Sequence, residues 1–217
     1  NMKNKQTFLT KGSFALLLFV ILGYVVKFHS NYLKGFDRPI QTILRGDLPD
    51  SLTFFFSNVT SLINIPVIIT WVVVLVGLFL YKKWWSEAIL LAGNLALTGI
   101  LVALLKNVYQ RPRPTLQHLV EEGGFSFPSG HALASTLVVG ALVIIVSQRV
   151  KNRHLRHLLQ VLLMVFILTI MTSRVYLGVH YPTDVLGSLL LGVGILYIEF
   201  PYYDKVRFQW RFAGKQK

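Results

Sequence analysis

The sequence predicts an all-α polytopic membrane protein, a bundle of six transmembrane helices with a short amphipathic helix on its outer face. Three observations carry that prediction. Of the 217 residues, 53% are hydrophobic and only 14% are charged, too few polar residues to coat a water-soluble globule of this size. The apolar residues fall into runs of roughly 17–20, the length that crosses the hydrocarbon core of a bilayer as a helix. The charged residues gather between these runs and at their ends.

The runs cover residues 12–28, 62–81, 86–105, 132–148, 158–173 and 184–200. The first follows Lys3, Lys5 and Lys11, as the apolar part of a signal peptide would. It lacks a small-residue cleavage site and continues to Val26, so it is read as an uncleaved first helix. Within 31–50, Phe36, Ile40, Ile43 and Leu44 recur at helical spacing between the polar Asp37, Arg38, Gln41 and Arg45. This pattern reads either as an amphipathic helix lying in the outer interface or as an ordinary connecting loop. Internal repeats, low-complexity tracts and long linkers are absent, so 1–217 is read as a single integral membrane domain. The chain has no cysteine, which excludes disulfides and thiolate chemistry, and the usual Cys/His zinc spacings are missing.

A net charge of +13 invites a nucleic-acid reading, but the positions of the cations argue against it. With the N-terminus inside, the inner segments hold fourteen of the 22 Lys and Arg: Lys3, Lys5, Lys11, Lys82, Lys83, Arg149, Lys151, Arg153, Arg156, Lys205, Arg207, Arg211, Lys215 and Lys217. The outer segments hold the other eight: Lys27, Lys34, Arg38, Arg45, Lys106, Arg111, Arg113 and Arg174. Basic residues favour the cytoplasmic side, so both termini are expected there. Most of the charge then reads as topology and contact with anionic lipid rather than nucleic-acid binding.

Three segments at the outer ends of the runs carry chemistry. Lys106 ends the third run. Taken alone it is a lysine favoured by the helix dipole and snorkelling to the interface. Arg111-Pro112-Arg113-Pro114 follows, and its two prolines forbid a helix and stiffen the backbone. Such a loop is a tether, or it holds a guanidinium rigidly against a phosphate through planar, paired donors.

Pro128-Ser129-Gly130-His131 opens the fourth run. Ser129 suits an N-cap. The free N–H groups of a first helical turn also make an anion site, and Gly130 lets an anion approach the backbone, with His131 beside it. Ser173-Arg174 ends the fifth run, where a charge is costly and usually functional. His180-Tyr181-Pro182-Thr183-Asp184 opens the sixth. Pro182 suits a first helical position, and the dipole favours an ionised Asp184 in the first turn. A carboxylate four residues after His180 can reach back to the imidazole, accept its Nδ1–H and leave Nε2 as a basic nucleophile. The plainer alternative is a capping aspartate with an incidental histidine.

In order, the pattern is K-x6-R-P, then P-S-G-H, then S-R-x5-H-x3-D, spanning 106–184. It resembles the type 2 phosphatidic acid phosphatase superfamily, the membrane lipid-phosphate phosphatases, at every motif position. The resemblance implies that His180 is a nucleophile forming a phosphohistidine and that Asp184 orients it. It implies that His131 is a general acid that protonates the leaving alcohol and then activates water. Lys106, Arg113, Ser129, Arg174 and the Gly130 N–H become phosphate ligands, and neither a metal nor a cofactor is required. Three cations facing a phosphate would stabilise the charge on its equatorial oxygens. The implied partner is a lipid phosphate in the bilayer: phosphatidylglycerophosphate, undecaprenyl pyrophosphate or phosphatidic acid. The implied place is the outer face of a bacterial cytoplasmic membrane.

Two rivals remain at this stage. The vanadium haloperoxidases share such a pocket but are soluble, against the six apolar runs. A transporter or lipid-binding protein with a degenerate site would carry polar residues at mid-membrane and paired broken helices. Here the charges gather at helix ends, although Asn94 and Thr98 lie inside the third run. Arg111 falls outside the spaced motif and is expected to matter less than Arg113.

Overall fold

Apolar side chains that no water-soluble coat can cover turn outward in this chain. The computed structural model describes residues 2–217, with side chains from Asn4 onward, so the expectation placed on Lys3 lies outside the described side chains. Phe14, Val73, Leu104 and Leu168 are among many large apolar residues exposed around the bundle, as a surface facing lipid requires.

The helices are α1 (Met2–Phe28), α2 (Lys34–Arg45), α3 (Asp50–Ser61), α4 (Ile65–Tyr81), α5 (Trp85–Tyr109), α6 (Gly130–Arg149), α7 (Arg153–Tyr176) and α8 (Pro182–Phe212). No strand occurs among the described residues. Five helices, α1, α5, α6, α7 and α8, are each long and apolar enough to cross a membrane. A sixth span is reached only if α3 and α4 count together, and they are bent by 53° at the break between them. The run expected at 62–81 is therefore shorter as a helix and is preceded by α3, which the apolar runs do not include. Asn64 adopts an extended backbone before Ile65-Pro66, and a proline in the first turn suits a helix start, so the chain restarts here.

The helix expected within 31–50 forms as α2, but it is turned over relative to a soluble amphipathic helix. Its polar stripe of Asp37, Gln41 and Arg45 is buried, while Phe36 and Ile43 are exposed. Two of the stripe's residues, Asp37 and Arg45, find partners there. Arg45 donates to the carbonyl oxygens of Tyr176 and Gln117 at 2.8 and 2.9 Å. Asp37 meets α8, as described below.

Helix α1 runs lengthwise against α8. A Cβ added to Gly12 would lie 2.9 Å from the carbonyl oxygen of Gly194, and one on Gly194 would lie 3.2 Å from that of Gly12. Two missing side chains thus let the backbones approach, as small residues do between membrane helices. Helix α6 enters the core, where Ala132, Leu133, Leu137 and Val138 are fully buried. Its Ser135–Val139 stretch is π-helical. Asn94 of α5 donates to the Leu137 carbonyl at 3.0 Å and to Glu199 at 2.7 Å, and Thr98 bonds back to the Asn94 carbonyl at 2.8 Å. The two polar residues inside the third run are thereby satisfied by packing partners.

Glu87, fully buried, receives Arg149 at 2.6 Å and Arg207 at 3.1 Å. Glu87 and Lys106 stand near opposite ends of α5, about 28 Å apart at about 1.5 Å per residue. The three motif segments meet at the Lys106 end, and this basic cluster closes the other.

Candidate active site

The site is built around the start of α8. Tyr181 is extended, Pro182 occupies the first turn, and Asp184 Oδ2 accepts the Tyr181 N–H at 2.8 Å, closing a cap. The same oxygen accepts the Ser126 hydroxyl at 2.8 Å and lies 3.3 Å from His180 Nδ1. The cap and the contact with the imidazole therefore coexist, and the two sequence alternatives are not exclusive. Gly178 turns the chain from α7 toward His180 with a φ of +81°, a conformation that glycine adopts without strain.

His180 is 1% exposed, and its Nε2 lies 3.1 Å from Arg113 Nη1. A guanidinium only donates, so Nε2 presents its lone pair and the ring proton sits on Nδ1, toward Asp184. Burial pushes the imidazole down to about 4, with the Arg174 and Arg113 charges adding to that effect and Asp184 opposing it. The ring is neutral at pH 7 in this geometry.

Arg113 is pinned by backbone carbonyls, Val179 at 2.9 Å and Gly123 at 2.6 and 3.1 Å. Arg174 is 2% exposed and donates to Thr60 Oγ1 of α3 at 3.1 Å. Its Nε is buried and has no partner among the described residues. Buried donors are nearly always paired, so an orphan here marks a direction from which an acceptor is due. Lys106 lies within electrostatic range of Arg113, Arg174, Glu122 and Asp184.

His131 points its Nε2 at Asn64 Oδ1, 2.9 Å away at the α3–α4 break, and lies within range of His180, Glu122, Arg174 and Lys106. Ser129 is fully buried and caps α6 by accepting the Ala132 N–H at 3.3 Å, while its carbonyl accepts the Ser188 hydroxyl at 2.8 Å. Packing does not itself require Gly130 to be glycine, since the nearest atom to an added Cβ is on Val102 at 3.6 Å. Of the eight residues singled out in the sequence, six thus fall at helix ends, and Arg113 and His180 on the loops that join those ends.

Two residues depart from the sequence reading. Arg111, expected to stand apart, is 6% exposed and donates to Asp184 Oδ1 at 2.7 Å. It lies outside the spaced motif yet bonds a motif residue directly. Glu122 was missed. It pairs with Arg174 and, at 3.4 Å, with Arg113. Burial disfavours its ionised form, but the Arg174 and Arg113 charges outweigh that and hold the carboxylate below its ordinary range. The available signal was a carboxylate in the loop between Arg113-Pro114 and Pro128-Ser129-Gly130-His131.

A family model described as the PAP2 superfamily matches residues 87–208. The chain belongs to the PAP2 superfamily. Within it, the chain is 28% identical over 197 residues to phosphatidylglycerophosphatase B of Bacillus subtilis (strain 168), covering 88% of this chain and 94% of that one. It is 31% identical over 147 residues to undecaprenyl-diphosphatase BcrC of the same organism, covering 64% of this chain and 71% of that one. The crystal structure of a transmembrane PAP2-type phosphatidylglycerolphosphate phosphatase from Bacillus subtilis superposes with a TM-score of 0.82 at 27% identity, covering 90% of this chain and 97% of that one. The family match and this superposition agree with the all-α membrane architecture read from the apolar runs.

Proposed function

We propose that this PAP2 protein hydrolyses a lipid phosphomonoester or pyrophosphate through a phosphohistidine on His180, without a metal or cofactor, at the outer interface of a bacterial cytoplasmic membrane. The observation that carries the proposal is the fixed tautomer of His180. Its Nε2 accepts from Arg113 Nη1 at 3.1 Å, while Asp184 takes the Nδ1 side at 3.3 Å.

Nε2 attacks phosphorus as the bond to the leaving oxygen breaks, and His131 gives that oxygen its proton. His131 then takes a proton from water, whose oxygen attacks the same phosphorus and releases inorganic phosphate and free His180. Lys106, Arg113 and Arg174 hold the charge on the non-bridging oxygens, with Ser129 and the Gly130 N–H completing the cradle. The phosphate supplies the acceptor that Arg174 Nε lacks among the described residues. A site at the helix ends suits a substrate whose tails stay in the bilayer, with the exposed Phe36 and Ile43 of α2 toward the lipid. The names of the Bacillus relatives place phosphatidylglycerophosphate and undecaprenyl pyrophosphate first among the substrates to try, with phosphatidic acid beside them. The excess of Lys and Arg at the other end of the bundle supports cytoplasmic termini and an extracytoplasmic site.

A panel of these lipids, assayed in detergent with a chelator present for release of inorganic phosphate, tests the proposal. At least one lipid should be turned over. Folded protein that releases phosphate from none of them overturns it in favour of a transporter or lipid-binding protein with a degenerate site.

A further inference from the structure

We propose that Asp37 of α2 is a positioning residue for this reaction: through Arg111 it fixes the Asp184 carboxylate against His180. The inference rests on the reading of His180 as the nucleophile, and it adds a residue from outside all three motif segments.

Asp37 is 2% exposed, and both of its oxygens are engaged. Oδ1 accepts the Thr183 N–H at 2.9 Å. Oδ2 accepts the Thr183 hydroxyl at 2.9 Å and Arg111 Nη2 at 2.9 Å. The Thr183 N–H belongs to the first turn of α8, one of the donors that a helix leaves without an internal partner. One carboxylate from α2 therefore satisfies the start of the helix that carries Asp184 and holds one arm of Arg111. The other arm, Nη1, donates to Thr183 Oγ1 at 2.7 Å and to Asp184 Oδ1 at 2.7 Å. The Tyr181 ring lies over the guanidinium, 3.9 Å from Cζ to the ring centroid. Arg111 is thus locked in one plane between two carboxylates.

The contact at stake is the long one. Asp184 Oδ2 serves three donors, Tyr181 N and Ser126 Oγ at 2.8 Å each and His180 Nδ1 at 3.3 Å. A carboxylate free to turn about its Cβ–Cγ bond would keep the two short bonds and lose the imidazole first. Arg111 on Oδ1 blocks that turn, and Asp37 keeps Arg111 in place. A bare guanidinium buried between helices would otherwise be free to swing toward Thr183 alone.

The test compares Asp37→Asn, Arg111→Lys and the double variant, purified in detergent and checked for folding by thermal melting. Asp37→Asn trades one acceptor for a donor facing donors. We expect kcat to fall about tenfold or more while KM stays within about twofold, because the phosphate ligands are untouched. Arg111→Lys keeps a charge but is unable to span both carboxylates, and should fall similarly. The double variant should lose little more than either single one, because both act along one path. If Asp37→Asn does not accumulate as folded protein, Asp37→Glu replaces it with the same readouts, since it keeps the charge and displaces the arm. A folded Asp37 variant with kcat within about twofold of wild type overturns the inference, and so do losses that multiply in the double variant. His180→Ala separates the two layers. A dead His180→Ala beside a normal Asp37 variant removes only the positioning role, whereas an active His180→Ala removes the nucleophile reading itself.

Discussion

Arg113 aims Nη1 at Nε2 of His180, 3.1 Å away, while its other nitrogens rest on the carbonyl of Gly123. A group that only donates has been set beside the atom proposed to attack. In the free site this contact fixes the tautomer, and with substrate bound the same donor is placed to reach a phosphoryl oxygen. Arg113→Lys keeps the charge but loses the fork. It should lower kcat/KM by about ten- to a hundredfold, measured by phosphate release. An unimpaired Lys variant would mean that charge alone suffices there.

Glu122 pairs with the two arginines assigned to phosphate, so in the free enzyme its carboxylate stands where an anion is expected. It is 24% exposed, which tempers the strength of the pairing. Glu122→Gln should tighten inhibition by inorganic phosphate by roughly three- to tenfold, since the neutral amide competes less for the guanidinium groups. Weaker inhibition would show that Glu122 supports the cradle instead of competing for it.

The motif cations, both histidines and Asp184 were legible because each sits where an apolar run meets a polar loop, at fixed spacings. Asp37 and Glu122 were not, because their meaning lies in contacts with residues far along the chain: Thr183 is 146 positions from Asp37 and Arg174 is 52 from Glu122. Periodicity revealed the two faces of α2 but not their orientation. A polar stripe faces water in a soluble protein, and here it faces arginines, backbone carbonyls and a helix start while the apolar face turns out. The α3–α4 break escaped for a related reason. Ser57, Asn58, Thr60, Ser61, Asn64 and Pro66 follow Phe56, but such a stretch reads equally as a loop feeding the apolar run, and nothing in it announces a helix bent by 53°.

His180 is held near 4 by burial, whereas a histidine in the unfolded chain titrates near about 6.5. The folded state therefore binds fewer protons in that window. The stability contributed by the neutral ring is complete above about pH 6.5 and is lost as pH falls toward the folded value, by about 3 kcal/mol in all. Melting in detergent should drop between pH 6.5 and 4 more steeply for wild type than for His180→Asn. Parallel curves would place the burial penalty elsewhere.

With no native cysteine, single cysteines report sidedness without background. A cysteine at Gln117, on the loop between α5 and α6, should react with an impermeant maleimide in intact protoplasts. One at Asn152, between α6 and α7, should react only after the membrane is opened. The reverse pattern would move the chemistry to the cytoplasmic leaflet.

The central claim is that phosphorus is bonded to Nε2 of His180 during turnover. Rapid quenching of the enzyme with a lipid carrying radiolabelled phosphate, followed by peptide mapping, tests it most directly. The expected result is an acid-labile, alkali-stable label on the peptide containing His180, absent from His180→Ala and accumulating in His131→Ala if water activation is slowed. Label on another residue, or steady turnover in His180→Ala, would contradict the account.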